Sequence, residues 1–325
     1  MKRFKNVLCV VGTDQNDNTA LEYAVKLAEN NQATLSVIEV VDEIPPNTKL
    51  LERILSPDDL QAKMVEEHLQ RLEERVTPWR VNIEIKIHVL SGIPYLEIIK
   101  EVLRNDRDLV IKTAENAGLL DRVFGSDDMH LMRKCPCPVW LVKPRSPNTY
   151  KRILAAVDVV DDYPTEELNT RHLLNHQILE MACSLSLSES AELHIVHAWD
   201  AIGEDAMRVG SIRTPEDEIN AYVEEVRQQQ SHNLDVLINE IKKKIGRDAL
   251  GYIKPQIHLI KGFARKCVPE LATKINAELV VMGTVDRTGL PGFFMGNTAE
   301  SILNQLDCSV LAIKPAGFVT PVTLD

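Results

Sequence analysis

Short runs of β-branched and aliphatic residues alternate with longer amphipathic stretches along the whole chain. Lys5–Val11 reads as a strand, Thr19–Asn30 as a helix and Leu35–Val41 as a second strand. Pro57–Val76 reads as a long helix, Ile83–Val89 as a strand, and Pro94–Arg104 as a helix with proline in its first turn. Leu109–Thr113 (strand), Asp127–Arg133 (helix) and Val139–Val142 (strand) complete the series. Runs that are apolar throughout, such as Val280-Val281-Met282, suit strands buried on both faces. The alternation predicts right-handed crossovers and a mostly parallel sheet.

The series occurs twice. Lys5-Asn6-Val7-Leu8 matches Lys151-Arg152-Ile153-Leu154, and Ala33-Thr34-Leu35 matches Ala191-Glu192-Leu193. Asp108-Leu109-Val110-Ile111 matches Glu278-Leu279-Val280-Val281, and Cys137-Pro138-Val139-Trp140-Leu141-Val142-Lys143-Pro144 matches Cys308-Ser309-Val310-Leu311-Ala312-Ile313-Lys314-Pro315. The offsets rise through 146, 158, 170 and 171, as a repeat with small insertions in its second copy requires. Arg145–Thr149 is polar and carries a proline, so the predicted domains are 1–147 and 148–325. Each is read as a Rossmann-like α/β unit with an open, five-stranded, mostly parallel sheet. The last strand of each copy follows only a short helix and is the one expected to pair across the copies. The charge-dense helices Pro57–Val76 and Pro215–Ile245 read as solvated faces.

Composition narrows the function. Hydrophobic residues make up 44%, charged residues 26%, and mean hydropathy is −0.13, which is globular. With 37 basic and 48 acidic residues the net charge is −11, which disfavours a nucleic-acid partner and an anionic membrane surface. No apolar run approaches the ~18 residues of a membrane helix, so no membrane insertion is expected. Six cysteines in 325 residues are no disulfide framework, and the basic start lacks the long apolar stretch of a secretory signal. Cytoplasm with reduced thiols is the expected compartment.

Ligands of open parallel sheets bind beyond the carboxyl ends of strands. In the second copy, Asp158 ends the first strand and Gly283 the fourth. A loop of glycines follows, leading to Gly296-Asn297-Thr298 before a helix expected over Ala299–Leu306. A helix start of this kind suits a phosphate, although Asn and Thr are also ordinary caps. The chain carries no G-x4-G-K-S/T phosphate loop.

These residues resemble the universal stress protein family, whose nucleotide signature runs G-x2-G-x9-G-S/T. Here the positions are Gly283, Asp286 in place of the second glycine, Gly296, and Asn297 in place of Ser/Thr. The resemblance extends over nearly the full length, in the family's tandem form. It implies a pair of domains of the adenine-nucleotide-hydrolase-like type, forming within one chain what single-domain members form as a dimer. It implies ATP in the second domain, with Asp158 at the ribose or adenine, and Val196, His197 and Ala198 along the adenine edge. Gly283 would lie under the ribose, and Gly296, Asn297 and Thr298 would meet phosphates. A carboxylate at Asp286 repels phosphate unless Arg287 or a metal compensates. In the first copy Gly12, Thr113 and Asn116 replace Asp158, Gly283 and Asp286, and only Gly125-Ser126 survives, so no nucleotide is expected there. The family's association with stress survival implies possible protein partners, and binding without a shared strong hydrolase activity agrees with the lack of a converging catalytic set.

Other residues have plainer readings. His172 and His176 share a helix face at zinc-compatible spacing but lack a third ligand in sequence, so they are read as surface histidines. His194 and His197 sit three apart on one strand and face opposite ways. Cys135-Pro136-Cys137-Pro138 is too tight for a metal or redox pair. The apolar loop Leu290–Met295 is expected to fold onto a core. Its alternative is a greasy pocket mouth shared with Met207, Val209 and Ile212, which would take an amphiphilic ligand with an anionic head.

Overall fold

The computed structural model describes residues 4–12, 14, 17–45, 56–115, 124–144, 146–209, 214–246, 251–284 and 295–324. Among these, no helix is long and apolar enough to cross a membrane. The chain divides into two compact units.

The N-terminal unit holds residues 2–148 with 307–314 and 318–325. Its elements are β1 (Asn6–Val10), α1 (Thr19–Asn31), β2 (Thr34–Val41), α2 (Pro57–Val76), β3 (Ile85–Ser91), α3 (Pro94–Arg104), β4 (Leu109–Thr113), α4 (Ser126–Lys134) and β5 (Val139–Val142). The strand order β3-β2-β1-β4-β5 is parallel throughout. Val7, Leu8, Val110, Ile111 and Leu141 have no exposed surface, which explains their unbroken apolar runs. The expected Ile83–Val89 strand begins two residues later, where pairing with β2 starts at Leu35↔Ile85. A 3-10 turn at Thr77–Trp79 separates α2 from β3.

One further strand completes this unit. β10 (Ser309–Ile313) pairs antiparallel with β5, setting Leu311 opposite Trp140. This is the pairing expected between the last strands of the two copies. The Ser309 hydroxyl accepts from the Lys143 N–H at 3.1 Å. After the strand, the Lys314 amine donates to the Met132 carbonyl at 2.5 Å, and so to the last turn of α4. Cys135 and Cys137 are buried with their sulfurs 3.6 Å apart.

The C-terminal unit spans 149–306 with 315–317. It contains β6 (Arg152–Ala156), α5 (Thr165–Glu189), β7 (Glu192–Trp199), α6 (Glu204–Val209), α7 (Glu216–Ile245), β8 (Gln256–Lys261), α8 (Ala264–Lys274), β9 (Leu279–Gly283) and α9 (Asn297–Leu303). The order β9-β6-β7-β8 is parallel. α6 carries Met207 and Val209, two residues of the alternative pocket mouth. Salt bridges from Glu204 to Arg208 and Lys261 anchor it. α7 opens on Glu216-Asp217-Glu218 and closes on Lys242-Lys243-Lys244, a charge order that matches the helix dipole.

His194 and His197 do face opposite ways. His194 Nδ1 lies 3.0 Å from His258 Nε2, with the rings stacked. Burial lowers the pKa of both rings from 6.5; Glu192 opposes this at His194, and Lys274 adds to it at His258. The unfolded chain therefore takes up these protons more readily than the folded one. Stability of the C-terminal unit is full above about pH 6.5 and falls as pH drops through the lower folded values. Urea midpoints measured from neutral pH down to about pH 5 should decline, and His258→Gln should flatten that decline. A wild-type profile with no slope in this window would contradict it.

Candidate functional site

The carboxyl ends of β6, β7 and β9 open into a cavity of about 430 Å³ within the C-terminal unit. β6 delivers Asp158 to its floor, β7 delivers Ala198, and β9 ends at Gly283. Gly296 and Thr298 also line it. The sheet thus brings together five residues that sequence marked as one site.

Asp158 is already engaged. Its Oδ2 accepts from Arg171 Nη1 at 2.7 Å and its Oδ1 from the Val160 N–H at 3.2 Å. Its own backbone is clamped by Asn175, whose carboxamide exchanges hydrogen bonds of 3.1 and 2.6 Å with the Asp158 N–H and carbonyl. Arg171 stacks on the Tyr163 ring at 3.8 Å and also pairs with Glu167. Burial pulls down its pKa, but Asp158 and Glu167 outweigh that and raise it. Sequence reasoning missed Arg171, because only the pitch of α5 places it over the end of β6.

Gly283 has a packing reason to be glycine. A Cβ there would sit 2.6 Å from Leu174 Cδ2, so the α5 leucine occupies the volume directly above it. The Gly296 N–H donates to the Thr284 carbonyl at 3.1 Å. Asp286 and Arg287 lie outside the described residues, as do Leu290–Phe294 and Ile212. Val196 and His197 are buried and do not line the cavity. His197 is held by the Val157 carbonyl and by Gln230 Oε1 at 3.3 and 3.0 Å. Asn297 is exposed at the start of α9, outside the lining.

The apolar wall is not built from the described residues of the alternative pocket mouth. Met207 and Val209 do not line the cavity, and Met295 is buried. Ile202, Tyr222, Val226 and Phe263 line it instead, with Ile202 73% and Phe263 60% exposed at the mouth. Arg265, in the first turn of α8, adds a second guanidinium to the lining, against the carboxylates of Asp158, Asp162 and Asp200.

At the equivalent strand ends of the N-terminal unit, described side chains bond to one another. Lys112, at the end of β4, donates to Asp128 Oδ1 at 2.6 Å and to Glu115 Oε1 at 3.1 Å. Asp128 Oδ2 accepts the Glu115 N–H at 2.7 Å. The Glu115 side chain lies against Gly125, where a Cβ would meet its Cβ at 2.6 Å. Sequence comparison put the obstruction on Thr113 and Asn116. Thr113 is half-buried, Asn116 lies outside the described residues, and the side chain observed against the surviving glycine is Glu115. At the end of β1, Arg75 from α2 donates to the Gly12 carbonyl at 2.9 Å and to Asn18 Oδ1 at 2.8 Å.

Two matches to the family model described as "Universal stress protein family" cover residues 3–143 and 149–314. The chain belongs to the universal stress protein family. It is 31% identical to universal stress protein E of Escherichia coli over 333 aligned residues, covering 100% of this chain and 98% of the relative. The universal stress protein E homolog of Haemophilus influenzae is 30% identical over 97% of this chain and 98% of its own length. Among solved structures, one described as a putative universal stress protein from Pseudomonas aeruginosa superposes with a TM-score of 0.64 at 25% identity, covering 96% of this chain and 94% of that one. A universal stress protein from Archaeoglobus fulgidus gives 0.61 at 18% identity over 94% and 98%, which supports the tandem α/β fold.

Proposed function

We propose that this universal stress protein acts in the cytoplasm by binding ATP or a related phosphate-bearing ligand in its second domain only, without turnover. The supporting observation is the contrast between equivalent strand ends. One copy has a cavity of about 430 Å³, and the other has Lys112, Glu115 and Asp128 bonded to one another at that place. In this reading the anionic group of the ligand is taken by Arg265, Gly296 and Thr298 and not by the part of the lining that carries Asp158, Asp162 and Asp200. There a guanidinium and the first turn of α8 favour negative charge. Asp158 and Asn175 take the sugar or base.

Titration of the purified protein with ATP should give one site per chain. Removing a charge-assisted contact by Arg265→Ala should weaken it roughly tenfold or more. Asp158→Ala should weaken it too, and Glu115→Ala in the first copy should not. Two sites per chain, or an affinity indifferent to Asp158 and Arg265, would sink the reading.

The exposed apolar mouth at Ile202 and Phe263 favours a second reading, an amphiphilic ligand with an anionic head in the same cavity. Mass spectrometry of what denaturation releases separates the two: a nucleotide supports the first, a lipid-like species the second.

A further inference from the structure

We propose that His172, His176 and Glu240 form a divalent transition-metal site of the zinc class that clips α5 to α7. The two histidines are four apart on α5 and so rise from one face of the helix. Sequence offered no third ligand, but the packing of α7 against α5 supplies one. Glu240 Oε2 lies 2.9 Å from His176 Nε2 and 3.3 Å from His172 Nε2. The three ligand atoms lie within 4.8 Å of one another.

Those separations lie at or a few tenths of an ångström below what a bound ion needs. A tetrahedral ion with bonds of about 2.0–2.2 Å needs its ligand atoms roughly 3.3–3.6 Å apart. The ion replaces a pair of imidazole–carboxylate hydrogen bonds with small side-chain movements. Two imidazoles and one carboxylate are borderline ligands that suit Zn²⁺, Ni²⁺, Co²⁺ or Cu²⁺ better than Mg²⁺ or Ca²⁺. Exposure is graded, from His176 at 16% through Glu240 at 37% to His172 at 51%, so the remaining coordination position faces solvent and takes water. Lys244, one turn further along α7, is engaged by Glu180. Both clipped helices also wall the cavity, α5 through Arg171 and Asn175, α7 through Tyr222 and Gln230. The site lies outside that lining and does not depend on what the cavity binds.

The test is a titration of the metal-stripped, full-length protein with Zn²⁺, read by competition with a chromophoric chelator and by thermal unfolding. Wild type should bind Zn²⁺ with micromolar or tighter affinity and gain several degrees in Tm as the ion fills the site. Glu240→Gln keeps the shape and a hydrogen-bonding carboxamide but should weaken Zn²⁺ at least tenfold and abolish the Tm gain. The His172→Ala/His176→Ala double variant should do the same. His194→Gln, at the stacked pair within the unit, should leave Zn²⁺ binding intact. Zn²⁺ binding unchanged in both site variants, or wild-type binding weaker than about 100 μM, overturns the proposal and leaves a hydrogen-bonded triad.

Discussion

Asp128→Ala should lower the stability of the N-terminal unit by about 3–5 kcal/mol. Asp128 has no exposed surface, and Lys112 is only 11% exposed at its side chain. Burial lowers the pKa of Lys112, but attraction to Asp128 and then Glu115 outweighs it and raises the value above 10.5. Removing Asp128 leaves a buried ammonium with a single carboxylate, itself 37% exposed, and strips the Glu115 N–H of its acceptor. Asp128→Asn keeps that acceptor and should cost less. The check is urea unfolding followed at Trp140, which is buried in this unit. An unchanged midpoint would mean that the Lys112 charge is neutralised some other way. The same network occupies the place where the other copy has its cavity, so this stability and the expected loss of ligand binding have one physical origin.

A chain ending at Leu306, and so lacking β10, should lose roughly 5–9 kcal/mol from the same unit. Val310, Leu311 and Ile313 are completely buried there, and burying each such side chain is worth about 1.5–3 kcal/mol. The shortened chain would also leave β5 as an unpaired edge, with Trp140 and Leu141 uncovered. An unprotected flat edge invites strand pairing between molecules. Early loss of the Trp140 signal on heating, with concentration-dependent aggregation, is the expected result. A truncated chain that unfolds at the wild-type midpoint would show that β10 contributes little.

Much of the fold was legible because its signals are local. Pro57–Val76 and Pro94–Arg104 match the predicted limits, since a proline at the first helical position marks each start. The buried strands announced themselves by unbroken apolar runs. Where packing sets the limit, sequence slipped: β3 starts two residues late, and α9 runs from Asn297 to Leu303 instead of from Ala299 to Leu306.

The site divides in the same way. Its strand-end residues Asp158 and Gly283 could be placed from sequence, because a parallel sheet delivers its strand ends to one edge, whereas Ala198 came only with the family resemblance. Arg171 and Leu174 could not, since they reach the cavity only through the docking of α5. Glu240 likewise becomes a neighbour of His172 and His176 only when α7 packs against α5.

By itself, the sequence determined a duplicated α/β architecture and, in each copy, the carboxyl edge of a mostly parallel sheet. Periodicity and turn chemistry act over a few residues and are written in the chain. Tertiary structure decided what fills those edges: an ion-pair network in one copy, a cavity flanked by two guanidiniums in the other, and a histidine–carboxylate cluster beside it. These depend on which helix faces meet, and that follows from the packing of whole elements and from no short stretch of residues.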